Sequence, residues 1–185
     1  MFNDICGAIC DLTECFDNHK LKYLIGGSVS SSLNGIFRTT NDVDVLVEKP
    51  LNQFPLLLKE LSRKFIIDEE ALVKHHLNKK AYNIFHEATA LKIDLFPAHT
   101  EFHQMQLGRA ISVKPPSASC AFKIATAEDI VLAKLVWLQK SSSDRQINDI
   151  IGVLNLNKSF LDLNYLRDWA EKLNVLESLE GLLNE

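Results

Sequence analysis

Asp42 and Asp44 stand one residue apart in the run NDVDVLVE, which otherwise reads as a buried strand. Strand residues two apart share a face, so the two carboxylates project together while Val43 and Val45 project to the other side. Like charges one pleat apart repel and are poorly tolerated beside a core, whereas a divalent cation turns the same repulsion into a chelate. A bare DxD also fits a turn or a solvated sheet edge, so the residues before it matter. They read as a strand, KYLI, then Gly26, Gly27 and Ser28, then a short helix that stops near Asn34-Gly35. Paired glycines let the backbone approach a phosphate closely, and Ser28 is placed to cap the helix and add a hydroxyl to its free N–H groups.

With 185 residues the chain has enough length for one sizeable core, or for one domain with a helical appendage. A formal charge of −4 argues against a surface built throughout for polyanions, though it leaves room for a local basic rim. No apolar stretch has the length of a membrane span and no basic leader precedes an apolar segment, so a cytoplasmic protein with no membrane partner is expected. Cys6, Cys10, Cys15 and Cys120 match neither a zinc ribbon nor a redox CxxC pair, and reduced, partly buried thiols are expected.

Phe2, Ile5, Ile9, Leu12 and Phe16 recur at helical spacing and predict an amphipathic first helix. Helical spacing also covers Asn52 to Phe65. AYNIFHEATALKIDLFP predicts a hairpin of two strands, around Tyr82 to Phe85 and Leu91 to Phe96, with HEAT as its turn. ISVKPPSASCAFKIAT has strand-like ends around a Pro-Pro-Ser loop and is the expected boundary between residues 1–118 and 119–185. Beyond it a helix opens at Thr126 or Ala127, and three more follow over Asp144 to Leu154, Leu163 to Leu173 and Leu176 to Leu183. The predicted class is α+β: a mixed sheet with helices on one side, followed by a small C-terminal helical bundle.

Asp94 repeats the pattern of Asp42 and Asp44, alone among Ile93, Leu95 and Phe96 on a strand able to lie beside theirs. Three carboxylates from neighbouring strands have the chemistry to hold magnesium ions against a nucleoside triphosphate.

GGS, a short spacer, RTT leading into DVD, and a later strand carrying KIDLF resemble the nucleotidyltransferases of the DNA polymerase beta superfamily. The chain is most similar to the bacterial branch that includes AbiEii-type toxin nucleotidyltransferases. YNIFHEATALKIDLF and AEDIVLAKLVWLQKSSSDRQINDIIGVL extend the resemblance over most of the chain. It implies a nucleotidyltransferase domain over residues 1–118, and a helical domain over 119–185 that closes the nucleotide cleft. The implied reaction is magnesium-dependent transfer of a nucleoside monophosphate from a triphosphate, with pyrophosphate leaving. Asp42, Asp44 and Asp94 are then the catalytic residues and the ligands of two Mg²⁺ ions. Gly26, Gly27, Ser28, Arg38 and Lys134 are the nucleotide-binding residues. The branch implies RNA, in particular tRNA, or a protein as acceptor, with a cognate antitoxin as a further partner. The wider superfamily adds aminoglycosides and lincosamides as acceptors.

Other residues carry two readings each. Arg38 binds phosphate or ties its loop to a carboxylate, while Thr39 and Thr40 read as loop supports. Asp129, Arg145 and Asp149 support the cleft or only join helices. Arg109 and Lys114 form an acceptor rim or are loop charges in solvent. His86 lines the site or merely ends its strand, and the pairs His75–His76 and His99–His103 favour structural roles over zinc. Trp137 and Trp169 fall on apolar helix faces, where core packing is expected. No helix-turn-helix signal supports DNA binding.

Overall fold

The computed structural model describes residues 2–35, 40–77, 80–141 and 143–184, with the side chains of 2, 76 and 77 left aside. In chain order, α1 (Phe2–Asn18) leads to β1 (Tyr23–Ile25), α2 (Gly27–Asn34) and β2 (Asp42–Val47). A single 3-10 turn at Leu51–Gln53 precedes α3 (Pro55–Leu61), β3 (Phe65–Ile66), α4 (Glu69–Leu77), β4 (Tyr82–His86) and β5 (Lys92–Pro97). Next come α5 (Glu101–Arg109), β6 (Ile111–Val113) and β7 (Phe122–Ile124). The chain finishes with α6 (Ala127–Leu138), α7 (Asp144–Asn157), α8 (Leu163–Lys172) and α9 (Leu176–Leu183).

All the strands share one seven-stranded sheet in the order β3-β4-β5-β2-β1-β7-β6. The β2–β5 and β1–β7 pairs are parallel and the remaining neighbours antiparallel, so the sheet is mixed. Alternation assigns the two faces. Val43, Val45, Val47, Ile84, Ile93 and Leu95 turn inward with the apolar stripe Ile5, Ile9, Leu12 and Phe16 of α1, and α3 and α4 complete that core. Each such side chain fully removed from water contributes about 1.5–3 kcal/mol. On the opposite face Leu24 and Leu46 join Phe102 and Leu107 of α5 in a second core, built mainly from Ile130, Val131, Leu135, Ile150, Val153, Leu166 and Trp169. The aspartates lie on that same face and are partly buried.

The helices start where local chemistry permits. Thr126 accepts the Asp129 N–H and opens α6 in the predicted place. The run Asn52 to Phe65 is not one helix: Pro55 sits at the start of α3, where a proline is tolerated, and α3 ends at Leu61 before β3 begins. Two helices were not expected. In α5 the Thr100 side chain accepts the His103 N–H and Glu101 lies in the first turn, and in α4 the Asp68 carboxylate accepts the Ala71 N–H. Both caps are readable signals, but neither helix has a strong apolar stripe, so periodicity does not find them.

Three further expectations are corrected. Cys10 and Cys120 are joined in a disulfide that ties α1 to the segment before β7, while Cys6 and Cys15 are free and buried. Trp169 packs on Phe102 with ring centroids 5.3 Å apart, as expected, but Trp137 is 58% exposed.

Arg109 is neither a rim residue nor a loop charge. It ends α5, its Nη2 donates to Glu128 Oε2 at 3.1 Å, and its guanidinium lies 3.8 Å from the Tyr165 ring centre. The Tyr165 hydroxyl donates in turn to Asp129 Oδ1 at 2.6 Å, and burial raises the Asp129 carboxyl above its ordinary range. Asp129 therefore joins α6 to α8 and depends on Arg109 for its nearest positive charge, with Nε 3.7 Å from Oδ2. Arg109→Ala is expected to cost about 2–3 kcal/mol of stability, because it leaves acidic groups uncompensated in a partly buried network. Urea unfolding of the variant checks this.

Candidate active site

β1 leads into Gly26, whose N–H donates to Asp44 O at 2.8 Å and pins the turn to β2. Gly27 follows at φ +52°, in the left-handed region. Its hydrogen is also a steric necessity, since a β-carbon there would stand 2.6 Å from Asp44 Cγ and 2.9 Å from Asp44 Cβ, and nearer still to Oδ2. The Asp44 carboxylate thus rests directly on the first residue of α2, at the helix end that favours anions. Ser28 does not cap this helix. Gly26 occupies the cap position without a side-chain bond, and Ser28 Oγ donates to Thr40 Oγ1 at 2.7 Å. Thr40 passes the contact on, donating to Asp42 Oδ1 at 2.8 Å, so Thr40 is a loop support with a direct hold on a carboxylate.

The parallel register of β2 and β5 places Asp94 opposite Asp44 and Lys92 opposite Asp42. Asp42, Asp44 and Asp94 are therefore on one face of two adjacent strands, as the alternation predicts. Burial first, and then the carboxylates of Asp42 and Asp94, push the Asp44 carboxyl up to about 6; Lys134 and Lys92 pull it back. Lys134 is buried on α6, where its Nζ donates to Gln146 Oε1 at 2.6 Å and to Asp149 Oδ2 at 2.8 Å. Asp149 thus joins α7 to α6 by pairing with Lys134. Lys92 Nζ meets Asp94 Oδ2 at 2.8 Å, whereas Asp94 Oδ1 is buried without a hydrogen-bond partner. Lys92 escapes notice in the sequence, although its place one pleat before Asp94 is a usable signal.

The donor chemistry here fits a hard divalent cation: carboxylate oxygens only, one of them buried and unpartnered, with mutual repulsion for a cation to relieve. The side chains are nevertheless drawn apart, Asp42 toward Thr40 and Asp94 toward Lys92. Among the described residues no three His, Cys, Asp or Glu side chains are gathered closely enough to hold a metal ion as they lie.

Gly26, Gly27, Ser28, Asp42, Asp44 and Asp94 come together at one end of the β1, β2 and β5 strands, and the Lys134 charge acts on Asp44. Arg38 and Thr39 lie outside the described residues. His86 is turned to the opposite face, where its ring nitrogens pair with Thr89 Oγ1 at 2.8 Å and Asp11 Oδ2 at 3.1 Å, so it does not line the site. His75 bonds the Ala81 carbonyl, and His99 and His103 stack edge-on with centroids 4.9 Å apart.

Neither a family model nor a curated protein matches the chain. Solved structures do. The antibiotic-resistance factor ANT(2″)-Ia aligns over 98% of this chain and 93% of its own, at 17% identity and a TM-score of 0.51. The fold is nucleotidyltransferase-like. An antigenic nucleotidyltransferase-like protein from Paracoccidioides brasiliensis aligns over 96% of this chain and 89% of its own, at 16% identity and a TM-score of 0.54. The lincosamide antibiotic adenylyltransferase LnuA aligns over 81% of this chain and 96% of its own, at 13% identity and a TM-score of 0.50. Among the described residues no helix is long and apolar enough to cross a membrane.

Proposed function

We propose that the protein is a magnesium-dependent nucleotidyltransferase, moving a nucleoside monophosphate from a triphosphate to an acceptor. The observation that carries this reading is the Asp44 carboxylate, packed on Gly27 at the start of α2 and paired in register with Asp94. Asp42 and Asp44 would hold two Mg²⁺ ions with Asp94 completing the set, and the bound metal would polarise the α-phosphate and make the attacking hydroxyl more acidic. Gly27 and Ser28 would offer backbone N–H groups to the triphosphate, Gly26 would shape the turn through its own N–H bond to Asp44 O, and Arg38 joins them through the family resemblance. Asp94 accepts the proton of the acceptor hydroxyl as the new O–P bond forms and the α–β bridging bond breaks. Pyrophosphate leaves with its charge offset by Lys134, whose ammonium is held in place by Asp149 and Gln146. In this reading residues 119–185, whose first strand β7 stays in the common sheet, supply the helices that close the cleft over the 1–118 domain, supported by the second core that α6 to α8 dominate.

The toxin-type resemblance points to RNA, tRNA or a protein as acceptor, with a cognate antitoxin and a cytoplasmic location. A second reading, a hydroxyl of an antibiotic, is favoured by alignment over nearly the whole length of two antibiotic-related proteins. Magnesium-dependent thermal stabilisation by each triphosphate, measured beside pyrophosphate release, tests the common core. Stabilisation together with release is expected. Stabilisation without release in the presence of every acceptor class would identify a nucleotide-binding module instead.

A further inference from the structure

Four charged side chains make a square on one sheet face: Asp42 and Asp44 on β2, Lys92 and Asp94 opposite them on β5. Three are acids and one is a base. Lys92 shares its face with Asp94 because the two are one pleat apart, and the 2.8 Å ion pair directs its ammonium to Asp94 Oδ2. The lysine side chain is 37% exposed and that of Asp94 only 13%, so the cation reaches the carboxylate from the solvent side. Without Lys92 the three neighbouring carboxylates would keep, among the described residues, only Lys134 as an opposing charge on Asp44, an arrangement with a large desolvation and repulsion cost.

We propose that Lys92 is a resident counter-ion: its ammonium holds the Asp94 carboxylate until an incoming divalent cation displaces it. This rests on the reading of Asp42, Asp44 and Asp94 as metal ligands. The consequence is a coupling between metal and triphosphate. A free cation must compete with an ammonium already in contact, and it brings no anion to receive the displaced ammonium. A cation arriving with a triphosphate supplies that partner, because the freed Lys92 can pair with phosphate oxygens. The bare protein therefore binds metal weakly and the metal–triphosphate complex well, without any movement of the sheet.

The test uses Mn²⁺ alone as probe, titrated into the full chain without nucleotide and followed by its electron paramagnetic signal. Lys92→Gln keeps the length and a donor but removes the charge, and is expected to bind Mn²⁺ about tenfold more tightly than the unaltered protein. In chelator the same variant should melt at a lower temperature than the unaltered protein, and excess Mn²⁺ should erase the difference. Lys92→Arg provides a second arm should Lys92→Gln fail to fold: a forked guanidinium grips a carboxylate through two bonds, so Mn²⁺ affinity is expected to fall below that of the unaltered protein. Equal Mn²⁺ affinity in all three proteins overturns the counter-ion role and leaves the metal reading standing. Absence of Mn²⁺ binding in all three, with the nucleotide complex also unbound, overturns both.

Discussion

Asp44→Asn abolishes nucleotidyl transfer and leaves the metal-free protein more stable than before. Asparagine matches the shape of aspartate but not its charge, and the charge is what both effects concern. The Asp44 carboxyl is pushed up to about 6 by burial and by Asp42 and Asp94, so at pH 7 the folded state holds an ionised group that it disfavours. The shift is upward, so this destabilisation is present above pH 6, fades as pH falls through the folded value, and is gone below the unfolded value near 3.8, where both states are protonated. Removing the charge should therefore stabilise the chelator-treated protein by about 2 kcal/mol at pH 7.5 and by almost nothing at pH 3.5. For a chain of this size that corresponds to a rise in Tm of about 4–8 °C. Transfer, read as pyrophosphate release, should drop by about a thousandfold or more, since the variant lacks a metal ligand as well as the charge. Melting curves at the two pH values, set beside the release assay, check both halves. A variant less stable than its parent at pH 7.5 contradicts the electrostatic account.

Gly27→Ala should be severely damaging for a change of a single methyl group. Gly27 has φ +52°, where an L residue costs about 1–2 kcal/mol, and its added β-carbon would meet Asp44 Cγ and Cβ well inside contact distance. The Asp44 side chain cannot move far, because its own β-carbon is in the clash and its backbone carbonyl is bonded to Gly26 N–H. Either β2 shifts from α2 or the carboxylate is thrown out of register with Asp94. We expect a total loss of about 2–4 kcal/mol and transfer reduced at least a hundredfold. Gly26→Ala is the internal control. At φ −113° its β-carbon would find, among the described residues, only Leu24 Cδ1 at 3.9 Å and Asp44 O at 4.0 Å, so stability should change little. Equal damage from the two substitutions would show that the turn, not the Asp44 contact, is what matters.

The parts of the fold set by short-range periodicity were legible. Alternation in DVDVLV and KIDLFP fixed which face the aspartates take, and the parallel β2–β5 pairing then brought Asp44 and Asp94 opposite each other. The hairpin turn after His86 and the start of α6 at Thr126 followed from turn and cap chemistry. What escaped were long-range partnerships and weakly amphipathic helices. Nothing near Cys10 in the chain announces Cys120, 110 residues away, and nothing near Arg109 announces Tyr165 and Asp129. The first is decided by how α1 packs beside β7 and the second by how α5, α6 and α8 stack, which no local pattern encodes. Lys92 was overlooked for a different reason: a lysine at a strand start reads as a solvated charge until the register places it opposite Asp42.

The measurement that addresses the central claim most directly is transfer itself. The purified protein and its Asp42→Asn/Asp44→Asn variant would be incubated with Mg²⁺ and each nucleoside triphosphate radiolabelled at the α-phosphate, alone and with total tRNA, cell lysate, aminoglycosides or a lincosamide. The account predicts a labelled product in at least one mixture, formed by the unaltered protein, absent with the variant and lost on adding chelator. A labelled product formed equally by both proteins would contradict the assignment of the carboxylates, and no label in any mixture despite nucleotide binding would contradict the reading of the protein as a transferase.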